Sequence, residues 1–289
     1  MEASHQTPLT SIREPNVEGG RLLATLLHQN GISCTLWGVS AAAHYGGGLC
    51  PLDIEIAINA ADQKRAFGLL LSQGLTISFP DQDTESPSSY EEWRRKARSL
   101  TQFSDRRKTR LLTPIFELPA TGDPLDDMLR PLIVVYSSEE IGLPCIDLPT
   151  AISETGPHED YTTLSELNQD LALPETTGDD GYQLLDCIVP AFIPLLKSEM
   201  HVLLMHAEPH TPVWGQHMAQ FSELVHSDSC VGGPDGLREL VADARFKDFI
   251  AWFRENLSGG ADYDKLEGLR ASYRKKQATN TKVSSYSVV

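Results

Sequence analysis

Residues 35–58 read TLWGVSAAAHYGGGLCPLDIEIAI, and the fold turns on them. A short apolar strand over 32–37 runs into Gly38-Val39-Ser40 and then into a small-residue helix over 41–45. Three glycines (Gly46, Gly47, Gly48) and Pro51 break that helix, as these residues do, before Asp53-Ile54-Glu55-Ile56-Ala57-Ile58. Side chains alternate along a strand, so Asp53 and Glu55 share one face while Ile54, Ile56 and Ile58 share the other. Two carboxylates on one strand face, beside a turn that opens a helix, can hold a divalent cation next to a phosphate. An Asp-x-Glu alternating with isoleucines is also the pattern of any half-exposed strand.

Upstream, residues 17–30 place Leu22, Leu23, Leu26 and Leu27 at helical spacing and stop at Asn30-Gly31. Downstream, 61–73 is a second amphipathic helix ended by Gly74, and 75–79 alternates as a strand. A polar insert follows, then a short basic helix over 93–100 and a strand over 109–118 broken at Pro114. The run PLIVVY, 131–136, is a β-branched strand. From 148 to 181 the chain is acidic and rich in Pro, Thr and Gly, a loop with one short helix. Beyond Tyr182 the pattern is helical, over 184–206, 213–226 and 237–256. Five parts result: a flexible leader 1–16, an α/β domain 17–150, an acidic linker 151–181, a helical region 182–258 and a disordered basic tail 259–289. The expected class is α/β (α+β), a small mixed sheet flanked by helices with a C-terminal all-helical extension.

Composition bounds the function. With 24 Lys and Arg against 40 Asp and Glu, the net charge of -16 disfavours nonspecific nucleic-acid binding over the whole surface. The charge is uneven. Residues 91–110 hold eight basic side chains against three acids, a patch suited to phosphate or to a solvated face. Between 131 and 200, Lys197 is the one Lys or Arg, which suits either solubility or a cationic group. No apolar run reaches the roughly 20 residues of a membrane helix and no secretory pattern opens the chain, so a soluble, cytoplasmic protein is expected. The cysteines Cys34, Cys50, Cys145, Cys187 and Cys230 form no CxxC pair and are expected reduced and buried.

The order strand, Gly-x-Ser, helix, glycine break, Asp-x-Glu strand resembles the nucleotidyltransferase superfold. It is most similar to fungal nucleotidyltransferase-like proteins of unassigned activity, in which a Trp-Gly pair precedes a small-residue helix. Ser138–Pro144, SEEIGLP, matches their later serine and glycine-leucine-proline. The likeness covers roughly residues 20–150. It implies a transferase in which Asp53 and Glu55 are catalytic and hold Mg2+ while a hydroxyl attacks the α-phosphate of a nucleotide. Two cations would clamp the attacking and leaving oxygens of such a transfer. Gly38, Ser40 and the amides opening the 41–45 helix would bind the phosphates, and Lys108 or Arg110 would neutralise the remaining charge. Two departures stand out: Val39 fills the middle of the glycine motif, and PLIVVY carries no third acid, leaving Glu117 as the substitute.

Three functions follow: an enzyme acting on a nucleotide or small metabolite, a catalytically inactive binding or regulatory protein on the same frame, or a tRNA-dependent transferase. The last would belong to fungal secondary metabolism, meet aminoacyl-tRNA through the 91–110 patch and make an arginine-containing cyclodipeptide. His201 and His206 lack the i, i+4 zinc spacing, while His210, His217 and His226 are scattered. His44 and Cys34 read as packing residues, and Asp179, Asp180 and Asp186 as a helix-start charge bias.

Overall fold

The computed structural model describes Leu9 and residues 12–78, 86–97, 113–146, 159–167, 184–226, 233–257, 259–260 and 262–285. Helix α1, Val17–Gln29, starts where the Asn16 side chain accepts the Gly19 amide at 2.9 Å. Its leucines face a sheet built from β1 (Cys34–Leu36), β2 (Ile54–Ile58), β3 (Thr76–Ile77), β4 (Ile115–Glu117) and β5 (Ile133–Ser137). The strand order is β1-β2-β5-β4-β3. Strand β2 runs antiparallel to β1 and parallel to β5, pairing Glu55 with Val134 and Ile56 with Val135. Strand β4 is antiparallel to both β5 and β3. The sheet is mixed, as expected.

Between β1 and β2 lies α2, Gly38–Ala42, continued by a 3-10 turn over Ala43–Tyr45. Helix α3, Gln63–Ser72, and α4, Tyr90–Ala97, pack together through Phe67, Tyr90 and Trp93. The short α5, Pro124–Leu129, precedes β5. From the acidic segment, β6 (Tyr161–Thr163) and α6 (Leu164–Leu167) are described, and β6 pairs with β7 (Ile188–Pro190) in a second, two-stranded sheet.

Helices α7 (Phe192–Met205), α8 (Pro212–His226), α9 (Gly233–Ala242), α10 (Lys247–Leu257) and α11 (Tyr263–Ser285) form the helical half. Three sequence expectations change here. The helix expected from 184 begins at Phe192, because Pro190 disfavours helical backbone at the residue before it. Pro194 is tolerated in the first turn. The helix expected over 237–256 is two helices, since the Asp243 carboxylate accepts the Arg245 amide at 3.0 Å and turns the chain. The tail expected to be disordered is the helix α11 from Tyr263, which buries Leu266, Arg270 and Tyr273 on one face. Arg270 hid this face from a hydrophobic reading. Its guanidinium bonds Glu208 at 2.7 Å, Glu267 at 2.6 Å and the Ala207 carbonyl at 2.6 Å, which offsets its burial.

The leader also departs from expectation, because Leu9 and Ile12 sit in the core. Of the cysteines, Cys34 and Cys187 are buried as expected, and burial pushes the Cys34 thiol up to about 12. Cys50 and Cys145 are exposed, because both fall in chain between elements, beside Pro51 and Pro144. Cys230, Asp179 and Asp180 lie outside the described residues. No helix among the described residues is long and apolar enough to cross a membrane.

Candidate functional site

The expected site forms a closed lock within the chain. Gly38 has a φ of 60°, a left-handed conformation that glycine adopts without steric cost. A Cβ on Gly38 would lie 2.5 Å from Glu55 Oε2 and 2.9 Å from its Cδ. That close approach lets the Val39 amide donate to Glu55 Oε2 at 2.7 Å. Ser40 completes the lock. Its hydroxyl donates to the Asp53 carbonyl at 3.2 Å and accepts the Glu55 amide at 3.1 Å. Asp53 Oδ1 accepts the Leu132 amide at 2.9 Å, joining the start of β2 to the start of β5.

Gly38, Ser40, Asp53 and Glu55 therefore come together, as the motif implied, with a consequence that alternation alone did not give. Strand β2 is buried on both faces, and Asp53 and Glu55 are 4 % and 2 % exposed. At the start of α2 the anion is Glu55 itself, meeting the amide that a phosphate would otherwise take. A magnesium ion needs near-octahedral oxygen ligands and keeps several waters. Two carboxylates enclosed in this way and facing backbone amides do not fit that requirement. Among the described residues no group of three or more His, Cys, Asp or Glu is arranged to hold a metal. Glu117, the substitute third acid, lies two strands from β2, about 10 Å across the sheet, where it accepts the Ser78 hydroxyl. Lys108 and Arg110 lie outside the described residues. Of the basic patch, α4 is seen, with Lys96 paired to Glu92 at 3.0 Å and Arg94 over the Tyr90 ring.

The lock continues into the helical half. Tyr136, on β5, donates its hydroxyl to Glu55 Oε1 at 3.3 Å and packs edge-on against Trp37. The Trp37 indole donates to Ser198 Oγ at 2.9 Å, and Ser198 in turn donates to the Ile141 carbonyl at 2.6 Å. The neighbouring Glu199, 0 % exposed, lies 2.8 Å from His217 Nδ1 and accepts from Gln220 Nε2 at 2.7 Å. Burial pushes the Glu199 carboxyl up, His217 opposes that rise, and the nearby Glu55 charge adds to it. His217 Nε2 is buried without a hydrogen-bond partner. The arrangement joins a carboxyl and an imidazole on two helices in a contact sealed from solvent.

Sequence reading passed over Glu199 and Gln220 and set His217 aside as a scattered histidine. The available signal was Ser198-Glu199 inside the apolar run FIPLLKSEMHVLLM, since such a pair must find buried partners. His217 and Gln220, three apart on α8, meet it from one face. His201 and His206 find neighbours too: His201 Nδ1 lies 3.0 Å from the Tyr273 hydroxyl and His206 Nε2 2.7 Å from the Glu140 carbonyl. Desolvation holds both below the usual imidazole range, His201 at about 4. His44, half-buried, is held low by the same cause. Asp186 accepts the Ser165 amide at 3.1 Å.

No protein-family model, no curated protein and no solved structure matches this chain.

Proposed function

We propose that this protein is a binding or regulatory protein on a nucleotidyltransferase-like α/β frame, one that does not carry out metal-dependent nucleotidyl transfer. The observation that carries this reading is the Glu55 carboxylate, 2 % exposed and bonded to the Val39 amide at 2.7 Å. The residues that would present a metal and grip a phosphate hold β2 and α2 together instead. The strand order and the Gly38-Val39-Ser40 start of α2 support the frame; the enclosed acid pair supports the absence of the chemistry. The helical half fits the same reading, because Trp37 and Ser198 tie it to the sheet directly over the lock.

Calorimetric titration with ATP, CTP, GTP and UTP, each with and without magnesium, tests the proposal. The expected result is no magnesium-dependent heat for any nucleotide. Saturable, magnesium-dependent binding lost in Asp53→Asn or Glu55→Gln would overturn it and restore the transferase reading.

A further inference from the structure

The helical half carries a cleft of about 100 Å³ between α7, α10 and α11, and no residue of the 38–55 segment lines it. Leu204, Phe249 and Leu269 give it an apolar floor, and Arg245, Asp248 and Lys276 stand at its rim. Arg245 is already committed. It grips Asp243 through two bonds of 3.0 and 2.7 Å, and its guanidinium lies 5.2 Å from the centre of the Phe246 ring. It forms a fixed wall. Tyr273 is fixed as well, through its hydroxyl bond to His201.

Asp248 and Lys276 differ from these. Both are exposed and of opposite charge, and among the described residues neither side chain has an ion-pair or hydrogen-bond partner. A cavity of about 150 Å³ takes benzene, so a space of about 100 Å³ takes roughly four aliphatic carbons. An apolar hole of that size under this cation and this anion, with Arg245 already paired to Asp243, matches a zwitterion with a short hydrocarbon tail. A fatty acid would set its carboxylate beside Asp248, and an alkylamine would set its ammonium beside Lys276.

We propose that this cleft binds a free α-amino acid with a small aliphatic side chain, of the valine or leucine class. The side chain rests on Leu204, Phe249 and Leu269, the carboxylate meets Lys276 and the ammonium meets Asp248. This site shares no residue with the Asp53–Glu55 lock, so it stands or falls separately from the function proposed above.

Calorimetry on the full chain tests it, with L-leucine, L-valine and two leucine analogues, 4-methylpentanoate and 3-methylbutylamine. Leucine or valine is expected to bind at a single saturable site. Each analogue should bind about tenfold more weakly, the loss of one charge-assisted contact. Lys276→Gln and Asp248→Asn, both at exposed positions, should each weaken leucine by a similar factor while leaving the circular dichroism and thermal midpoint unchanged. Ala244→Leu, which fills the cleft from its lip, should abolish binding. Absence of saturable heat with both amino acids would overturn the proposal. So would analogues that bind as tightly as leucine, or leucine affinity unmoved in Lys276→Gln and Asp248→Asn.

Discussion

Replacing Gly38 with alanine strikes the lock at its tightest point. The new Cβ would sit 2.5 Å from Glu55 Oε2, and the backbone at φ 60° would hold an L-residue in the left-handed region. The backbone term costs about 1–2 kcal/mol. The carboxylate must also swing away, which strands the buried Val39 amide and adds about 1–3 kcal/mol. Together these give a destabilisation of about 3 kcal/mol. Urea unfolding measures it as a lower midpoint at unchanged slope. Gly68→Ala is the internal control. Gly68 lies on the exposed face of α3, where a Cβ meets nothing within 4 Å, so alanine there should stabilise by about 0.5–1 kcal/mol. A Gly38→Ala variant within 0.5 kcal/mol of the parent would refute the packing of Glu55 against Gly38, and with it the closed lock.

Other perturbations have equally definite outcomes. Glu55→Ala removes the acceptor and should cost about 2–3 kcal/mol in the same urea assay, whether or not magnesium is present. Trp37→Phe loses the indole bond to Ser198 and leaves a void between sheet and helices. A cost of about 2–3 kcal/mol is expected from calorimetric melting. His201 sets a pH dependence. Its imidazole is depressed from 6.5 to about 4, so its stabilising contribution is complete above pH 6.5 and is lost as pH falls from there toward about 4. His201→Asn should therefore flatten the stability-versus-pH curve across that window by on the order of 2 kcal/mol, allowing for the partial exposure of the ring.

Glu199 has the opposite sign. Its raised carboxyl favours the protonated folded state, so its contribution is full below 4.5 and is lost as pH rises through the raised value. Glu199→Gln should then lose less stability than the parent as pH climbs from 4.5 toward neutrality, read by urea midpoints at several pH values.

The elements with strong local signals were legible in the sequence. The capped leucine helix at 17–29, the alternating strand at 54–58 and the β-branched strand at 133–137 stand within two residues of where periodicity and turn residues put them. The motif at 38–55 was legible as a constellation too, since Gly38, Ser40, Asp53 and Glu55 do converge. What alternation could not convey is that the polar face of β2 is covered. That depends on Trp37, Tyr136 and Ser198, the last 161 residues from Trp37, and no local pattern encodes such a contact. Helix α11 was hidden for a related reason. Its buried face is held in part by the ion pairs of Arg270, so its hydrophobicity stays low although Leu266, Arg270 and Tyr273 are buried.

Whether Asp53 and Glu55 serve the fold or a metal is decided most directly by manganese electron paramagnetic resonance on the full chain with a nucleoside triphosphate present. Manganese(II) stands in for magnesium, and its free aquo signal falls as the ion binds. The expected result is a signal equal to that of manganese and nucleotide without protein, in the parent and in Glu55→Gln alike. A stoichiometric loss of signal with the parent, restored in Glu55→Gln, would contradict the structural role assigned to the acid pair.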